Sequence, residues 1–160
     1  MLINQNKSIR IPIIIKFFGT GFFSGFFPIA PGTFGSIIAV LIYLIPGFEH
    51  FYIIGSAIVL FFIIGIYTSG KIENLIGHDP SIVVIDEFVG MWLSLIFISK
   101  LWYFILIAFL LFRIFDIIKI FPANIIDRKN GGFAIMFDDV IAGIYTNIIL
   151  QILLYIKTFG

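Results

Sequence analysis

The sequence predicts an all-α protein: a multi-pass membrane helical bundle of about four to five membrane-embedded helices, with a polar site facing the cytoplasm. Three observations carry this. Of the 160 residues, 61% are hydrophobic and 12% charged, and the mean hydropathy is +1.15; ordinary globular domains have roughly 45–50% and about 25%. A soluble domain of this length could not bury so much apolar surface, so lipid must solvate part of it. The apolar runs also lack strand alternation, and in lipid only helices or closed barrels satisfy the backbone. Finally, the polar residues collect where the runs end on one side.

Five runs define the expected helices: Phe34 to Ile45, Phe51 to Ser69, Phe88 to Ile98, Leu101 to Ile118 and Val140 to Ile156. A full span needs about 20 apolar residues, within a range of about 17–25. The second, fourth and fifth runs approach that length. The first and third are short unless they begin in the headgroup zone, where Ser36 and Asp86 would sit. Pro46-Gly47 separates the first two runs and Ser99-Lys100 the third and fourth, so each pair reads as a helical hairpin. No linker, repeat or low-complexity tract interrupts residues 1–160, which read as one domain.

Following the chain through these turns places Gly19–Ser36, Ser69–Glu87, Arg113–Lys129 and Gly131–Asp139 on one face. Pro46–His50, Ser99–Lys100 and the C-terminus fall on the other. The first face carries Lys7, Arg10, Lys16, Lys71, Lys119, Arg128 and Lys129, against Lys100 and Lys157 opposite. The positive-inside bias assigns the richer face to the cytoplasm. A net charge of +1 gives no reason to expect nucleic acid as a partner. The absence of cysteine excludes disulfides, thiolate metal sites and a cysteine nucleophile. The N-terminal apolar stretch is broken by Lys16, Gly19 and Pro28, which argues against a cleaved signal peptide.

Four constellations lie on the first face: "PIAPGTFGS" (Pro28–Ser36), "HDPSIVVIDEFVG" (His78–Gly90), "FRIFDIIK" (Phe112–Lys119) and "GGFAIMFDDVIAG" (Gly131–Gly143). They supply Asp79, Asp86, Glu87, Asp116, Asp138 and Asp139, six of the nine acidic residues, together with Arg113 and Lys119. Carboxylates without cysteine suit a hard cation such as Mg²⁺. Arginine forks phosphate and lysine meets it as a point charge. Together these groups describe a phosphoryl-transfer site.

Simpler roles compete. Asp138 and Asp139 would suit a helix N-cap and first turn, as would Asp86 and Glu87. Arg113, Asp116 and Lys119, three residues apart, would neutralise one another on one helix face. Ionisable residues in a membrane segment are costly, however, and three together imply a polar cavity. Thr33 or Ser36 would cap the first helix, though the glycines around them would also let backbone N–H groups approach an anion. His78 reads as a loop residue, and His50 lies on the opposite face.

In this order, "APGTFGS", "IDEFVGMW", "FRIFDIIK" and "IMFDDVIAG" resemble the phosphatidylglycerophosphatase A family of bacterial membrane lipid phosphatases, over Gly19 to about Gly143. Two departures stand out. Ile120 follows Lys119 where the family usually has proline, and Ala123-Asn124 replaces its usual continuation around Pro122. The resemblance implies Mg²⁺-dependent hydrolysis of phosphatidylglycerol phosphate to phosphatidylglycerol, a step of phospholipid biosynthesis, at the bacterial inner membrane.

The expected roles follow residue by residue. Asp86, Glu87, Asp138 and Asp139 hold one or two Mg²⁺ ions, and Asp79 is a further ligand or base. Arg113 and Lys119 neutralise phosphate oxygens, Asp116 orients them or binds metal, and Thr33 and Ser36 contact phosphate. Direct attack by water and an aspartyl-phosphate route both remain open, although no Asp-x-Asp pair is present. Two rivals are weaker. A phospholipid-headgroup transferase would need a spaced run of aspartates that is missing, and a cation transporter would spread its acids through the membrane depth.

Overall fold

A computed structural model describes residues 11–126 and 128–159; Lys7 and Arg10 lie outside them. The described residues form α1 (Ile13–Gly19), a 3₁₀ turn (Ser24–Phe26), α2 (Pro31–Tyr43), α3 (Phe51–Ile76), α4 (Ile85–Leu95), α5 (Trp102–Ile118), α6 (Ala123–Ile126) and α7 (Gly132–Phe159). There is no strand among them, so the all-α expectation holds for the described residues.

Helix lengths differ from the expected hairpins in an informative way. Two helices are long and apolar enough to cross a membrane: α3, and α7 over Gly132–Thr158. Each starts or ends well beyond its apolar run. α3 continues to Ile76, where Gly77 turns the chain with φ +126. α7 begins at Gly132, two turns before Asp138 and Asp139. Both acids therefore sit inside the helix, which removes the competing reading of them as its N-cap and first turn.

α4 is the other departure. Its 11 residues span about 16 Å at 1.5 Å per residue, half the ~30 Å of a hydrocarbon core. It is instead the hub of the bundle, packed against α2, α3, α5 and α7. Ile85, Phe88, Val89, Met91, Trp92 and Leu95 are all buried. Its apolar character serves protein packing rather than lipid contact. Asp86 and Glu87 do occupy its first turn, where the helix dipole favours negative charge.

The crossing of α4 and α7 positions the acids. Gly90 and Gly143 meet at that crossing. A Cβ on Gly143 would lie 2.5 Å from Gly90 O, and one on Gly90 would lie 2.8 Å from Asp139 O. Only glycine permits this backbone approach. Asp86 lies four residues before Gly90 and Asp139 four before Gly143, so each is one turn up its helix on the crossing side. Close contact between the glycines thus brings the two acidic pairs together.

The far end of the bundle is held by polar ties. Trp92 Nε1–H donates to Ala39 O (2.9 Å), Tyr43 O–H to Ile98 O (2.8 Å) and Asn147 Nδ2–H to Ile96 O (2.8 Å). Lys100 Nζ donates to Glu49 Oε2 (2.6 Å), joining the two turns expected to share a face. That hydrogen bond and charge hold the Glu49 carboxyl below the ordinary glutamate range.

Candidate active site

At the opposite end from Lys100, the helix termini enclose a cleft of ≈ 310 Å³. That volume is at the small end of ligand sites. All four sequence constellations reach it. Pro31 and Gly32 come from the start of α2, and Asp79 and Ser81 from the loop before α4. Asp86 and Glu87 come from α4, Arg113 and Asp116 from α5, and Asp138 and Asp139 from α7, with Lys119 beside them. Six carboxyl groups thus face two cations in one space.

The cations are already engaged. Arg113 Nη1 donates to Glu87 Oε1 and Oε2 at 2.5 and 2.6 Å and lies 2.9 Å from Asp116 Oδ2. Its buried Nε–H has no acceptor among the described residues. Glu87 is also held by Ser36, whose Oγ–H donates to Oε2 at 2.8 Å. Gly32 makes room for this pair, since a side chain there would collide with Glu87 and crowd Arg113.

Lys119 behaves differently from the helical triplet expected of Arg113, Asp116 and Lys119. It is the left-handed C-cap of α5, with φ +50, and turns its ammonium to Asp138 Oδ2 at 3.1 Å and toward Asp79 Oδ2 at 3.9 Å. Arg113 and Asp116 do pair as an i,i+3 couple. The triplet is therefore split between the two acidic groups.

Asp86 and Asp139 are distinct from the other acids. Neither is in ion-pair contact with a cation among the described residues. Asp139 is 3% exposed, and Asp116, Glu87, Asp86 and Asp138 all lie within its electrostatic reach. Among the described residues no three acidic or histidine side chains converge into a ready metal cage. Arg113 and Lys119 serve instead as the counterions of Glu87, Asp116 and Asp138.

Two expected phosphate contacts are placed otherwise. Ser36 is fully buried and its hydroxyl supports Glu87, so it positions that carboxylate instead of reaching the cleft. Thr33 lies in the first turn of α2 but does not line the cleft. Neither residue caps α2, which opens with Pro31 at its first turn after a left-handed Ala30.

The sequence reading missed Glu73. It is 7% exposed, accepts from Gly131 N–H at 2.6 Å and lies 2.9 Å from His78 Nδ1. By holding the residue just before α7, it fixes the helix that carries Asp138 and Asp139. The available signal was an acid at the end of a long apolar run, where charge is rarely left without a partner. His78 is thereby placed in a structural contact at the edge of the site.

Carboxylates and cations thus share one strongly acidic cleft, and the described residues form helices without a strand, two of them of membrane-spanning length. The family model described as phosphatidylglycerophosphatase A matches residues 17–154. A Haemophilus influenzae protein named phosphatidylglycerophosphatase A is 40% identical over 95% of this chain and 96% of its own length. An Escherichia coli protein of the same name is 36% identical over 78% and 74%. A Bacteroides thetaiotaomicron protein provisionally named phosphatidylinositol-3-phosphatase is 40% identical over 89% and 92%. No solved structure gives a significant match. The chain belongs to the phosphatidylglycerophosphatase A family, and it is an enzyme of the phosphatase class. This membership gives no support to the transporter or transferase readings.

Proposed function

We propose that this enzyme hydrolyses phosphatidylglycerol phosphate to phosphatidylglycerol and inorganic phosphate with Mg²⁺, as a step of phospholipid synthesis at the bacterial inner membrane. One observation carries the reading: six carboxyl groups and two cations share a single small cleft. Left alone, that excess of negative charge would repel a phosphate. A divalent cation resolves the conflict, and the donor set suits it, being oxygen throughout with no cysteine in the chain.

Asp86 and Asp139, which meet no cation among the described residues, would hold the metal with Glu87 and Asp138. When bound, Mg²⁺ would draw charge from the phosphate oxygens and make a water more acidic. Arg113 and Lys119 would bind the remaining phosphate oxygens, with the Nε–H of Arg113, which has no acceptor among the described residues, as a further donor. Asp116 keeps Arg113 oriented. Asp79, half exposed beside Lys119, would take the proton of the attacking water. The P–O bond to the glycerol oxygen would break as the water oxygen bonds to phosphorus, and that glycerol oxygen would leave with the proton that Asp79 took from the water.

In this reading about four to five helices are embedded in the bilayer and the cleft opens to the cytoplasm. The excess of Lys16, Lys71, Lys119, Arg128 and Lys129 over Lys100 and Lys157 supports that orientation. With Lys100→Cys, a membrane-impermeant thiol reagent should label intact cells from outside. Labelling only after the cytoplasm is opened would reverse the topology.

The substrate is tested by offering purified protein phosphatidylglycerol phosphate and phosphatidylinositol 3-phosphate in separate detergent assays. The reading expects phosphate release from the first to exceed that from the second at least tenfold in kcat/KM, a ratio worth about 1.4 kcal/mol. A reversed ratio would move the enzyme to the activity for which its Bacteroides relative is named.

A further inference from the structure

We propose that the groove between α2 and α5 seats an acyl chain of the lipid whose phosphate enters the cleft. This inference rests on the lipid-phosphatase reading. α2 packs mainly on α4 and α5 mainly on α7, which leaves an open seam between α2 and α5. A groove of ≈ 400 Å³ occupies it, walled by Ile37, Val40 and Leu41 on one side and Trp102, Leu106 and Phe109 on the other.

The same two helices supply the cleft, and their residues run from one site into the other. On α5, Trp102, Leu106, Phe109, Arg113 and Asp116 follow one helical stripe at steps of three or four. The first three line the groove and the last two line the cleft. On α2, Thr33 stands one turn before Ile37 on the stripe that continues to Val40 and Leu41. From Phe109 to Trp102 the groove runs about 10 Å away from the charged end at 1.5 Å per residue. Ile117, 70% exposed, adds an apolar edge to the cleft rim.

This continuity singles out the groove from other lipid-facing surface. The apolar pocket around Gly55 and Val59 lies on α3, a helix that supplies no residue to the cleft wall. Lipid tails are as apolar as the groove, so seating a chain there gains little hydrophobic energy. Its role is alignment: a chain held along α2 and α5 sets the depth and rotation at which the phosphomonoester meets Asp86 and Asp139.

The test uses the full-length protein in detergent micelles. Leu41→Trp fills the groove, with Ile37→Phe as a milder second variant and Val59→Trp as a control on the α3 face. The groove variants should lose about tenfold in kcat/KM on diacyl phosphatidylglycerol phosphate through misplacement of the reacting group. They should keep wild-type rates on the same headgroup without acyl chains, and Val59→Trp should change neither. In parallel, wild-type protein is exposed to a diacyl lipid with a photoreactive chain end and a phosphonate headgroup. Label should concentrate on the groove residues and fall away for the same probe lacking the phosphonate.

Label that ignores the phosphonate, or equal losses on both substrates, would make the groove ordinary lipid-facing surface. Activity that persists alongside such labelling overturns the groove alone. A wild-type protein that releases no phosphate from this lipid overturns the underlying reading, and the groove with it.

Discussion

Asp139→Asn should abolish phosphate release, lowering turnover by at least about a hundredfold, the scale of losing one preorganised charge at a reacting centre. The same substitution should leave the fold intact or make it more stable. Asp139 is 3% exposed, shares its cleft with Asp116, Glu87, Asp86 and Asp138, and is in ion-pair contact with no cation among the described residues. Replacing it with a neutral isostere removes repulsion and breaks no ion pair. A residue kept for structure would behave in the opposite way. Thermal unfolding and phosphate release, measured on one preparation, separate the two cases. Unchanged turnover in folded protein would remove Asp139 from the reaction.

Arg113→Ala should lose both activity and stability. Glu87 is buried with two partners, Arg113 and Ser36. Removing the arginine leaves a buried carboxylate held by one hydroxyl. Breaking a buried pair on one side costs about 3–5 kcal/mol, and the slight exposure of Arg113 places this case toward the lower end. The double variant Arg113→Met with Glu87→Gln removes both charges, so it should recover much of the stability while remaining inactive. Arg113→Lys keeps the charge but loses the rigid guanidinium whose Nη1 meets both Glu87 oxygens and Asp116, and should fall between. A melting temperature unchanged in Arg113→Ala would contradict the pairing described.

Much of the site was legible in the sequence because its chemistry is local. Carboxylates are rare in so apolar a chain, and those that occur are grouped in short motifs at the ends of apolar runs. Asp86, Glu87, Arg113, Asp116, Asp138 and Asp139 could be gathered on one face simply by counting crossings. Partnerships across the bundle were not legible. That Lys119 turns away from Arg113 to meet Asp138 depends on a left-handed cap at the end of α5. That Ser36 serves Glu87 depends on the packing of α2 against α4.

Helix ends were misjudged for a related reason. Hydrophobicity marks where a helix meets lipid, whereas α3 and α7 continue as helices past that boundary to carry Glu73, Asp138 and Asp139. The burial of α4 was hidden as well, since a helix surrounded by protein and one surrounded by lipid are equally apolar. The glycines at positions 90 and 143 acquire their meaning only at the crossing where they meet.

The central claim is that this acidic cleft works on phosphate only with a divalent cation. The most direct measurement is phosphate release from phosphatidylglycerol phosphate by purified protein, stripped with chelator and then titrated with Mg²⁺. The account predicts no detectable release in chelator and full recovery as Mg²⁺ is restored. Turnover that continues unchanged in excess chelator, by protein verified as folded, would contradict it.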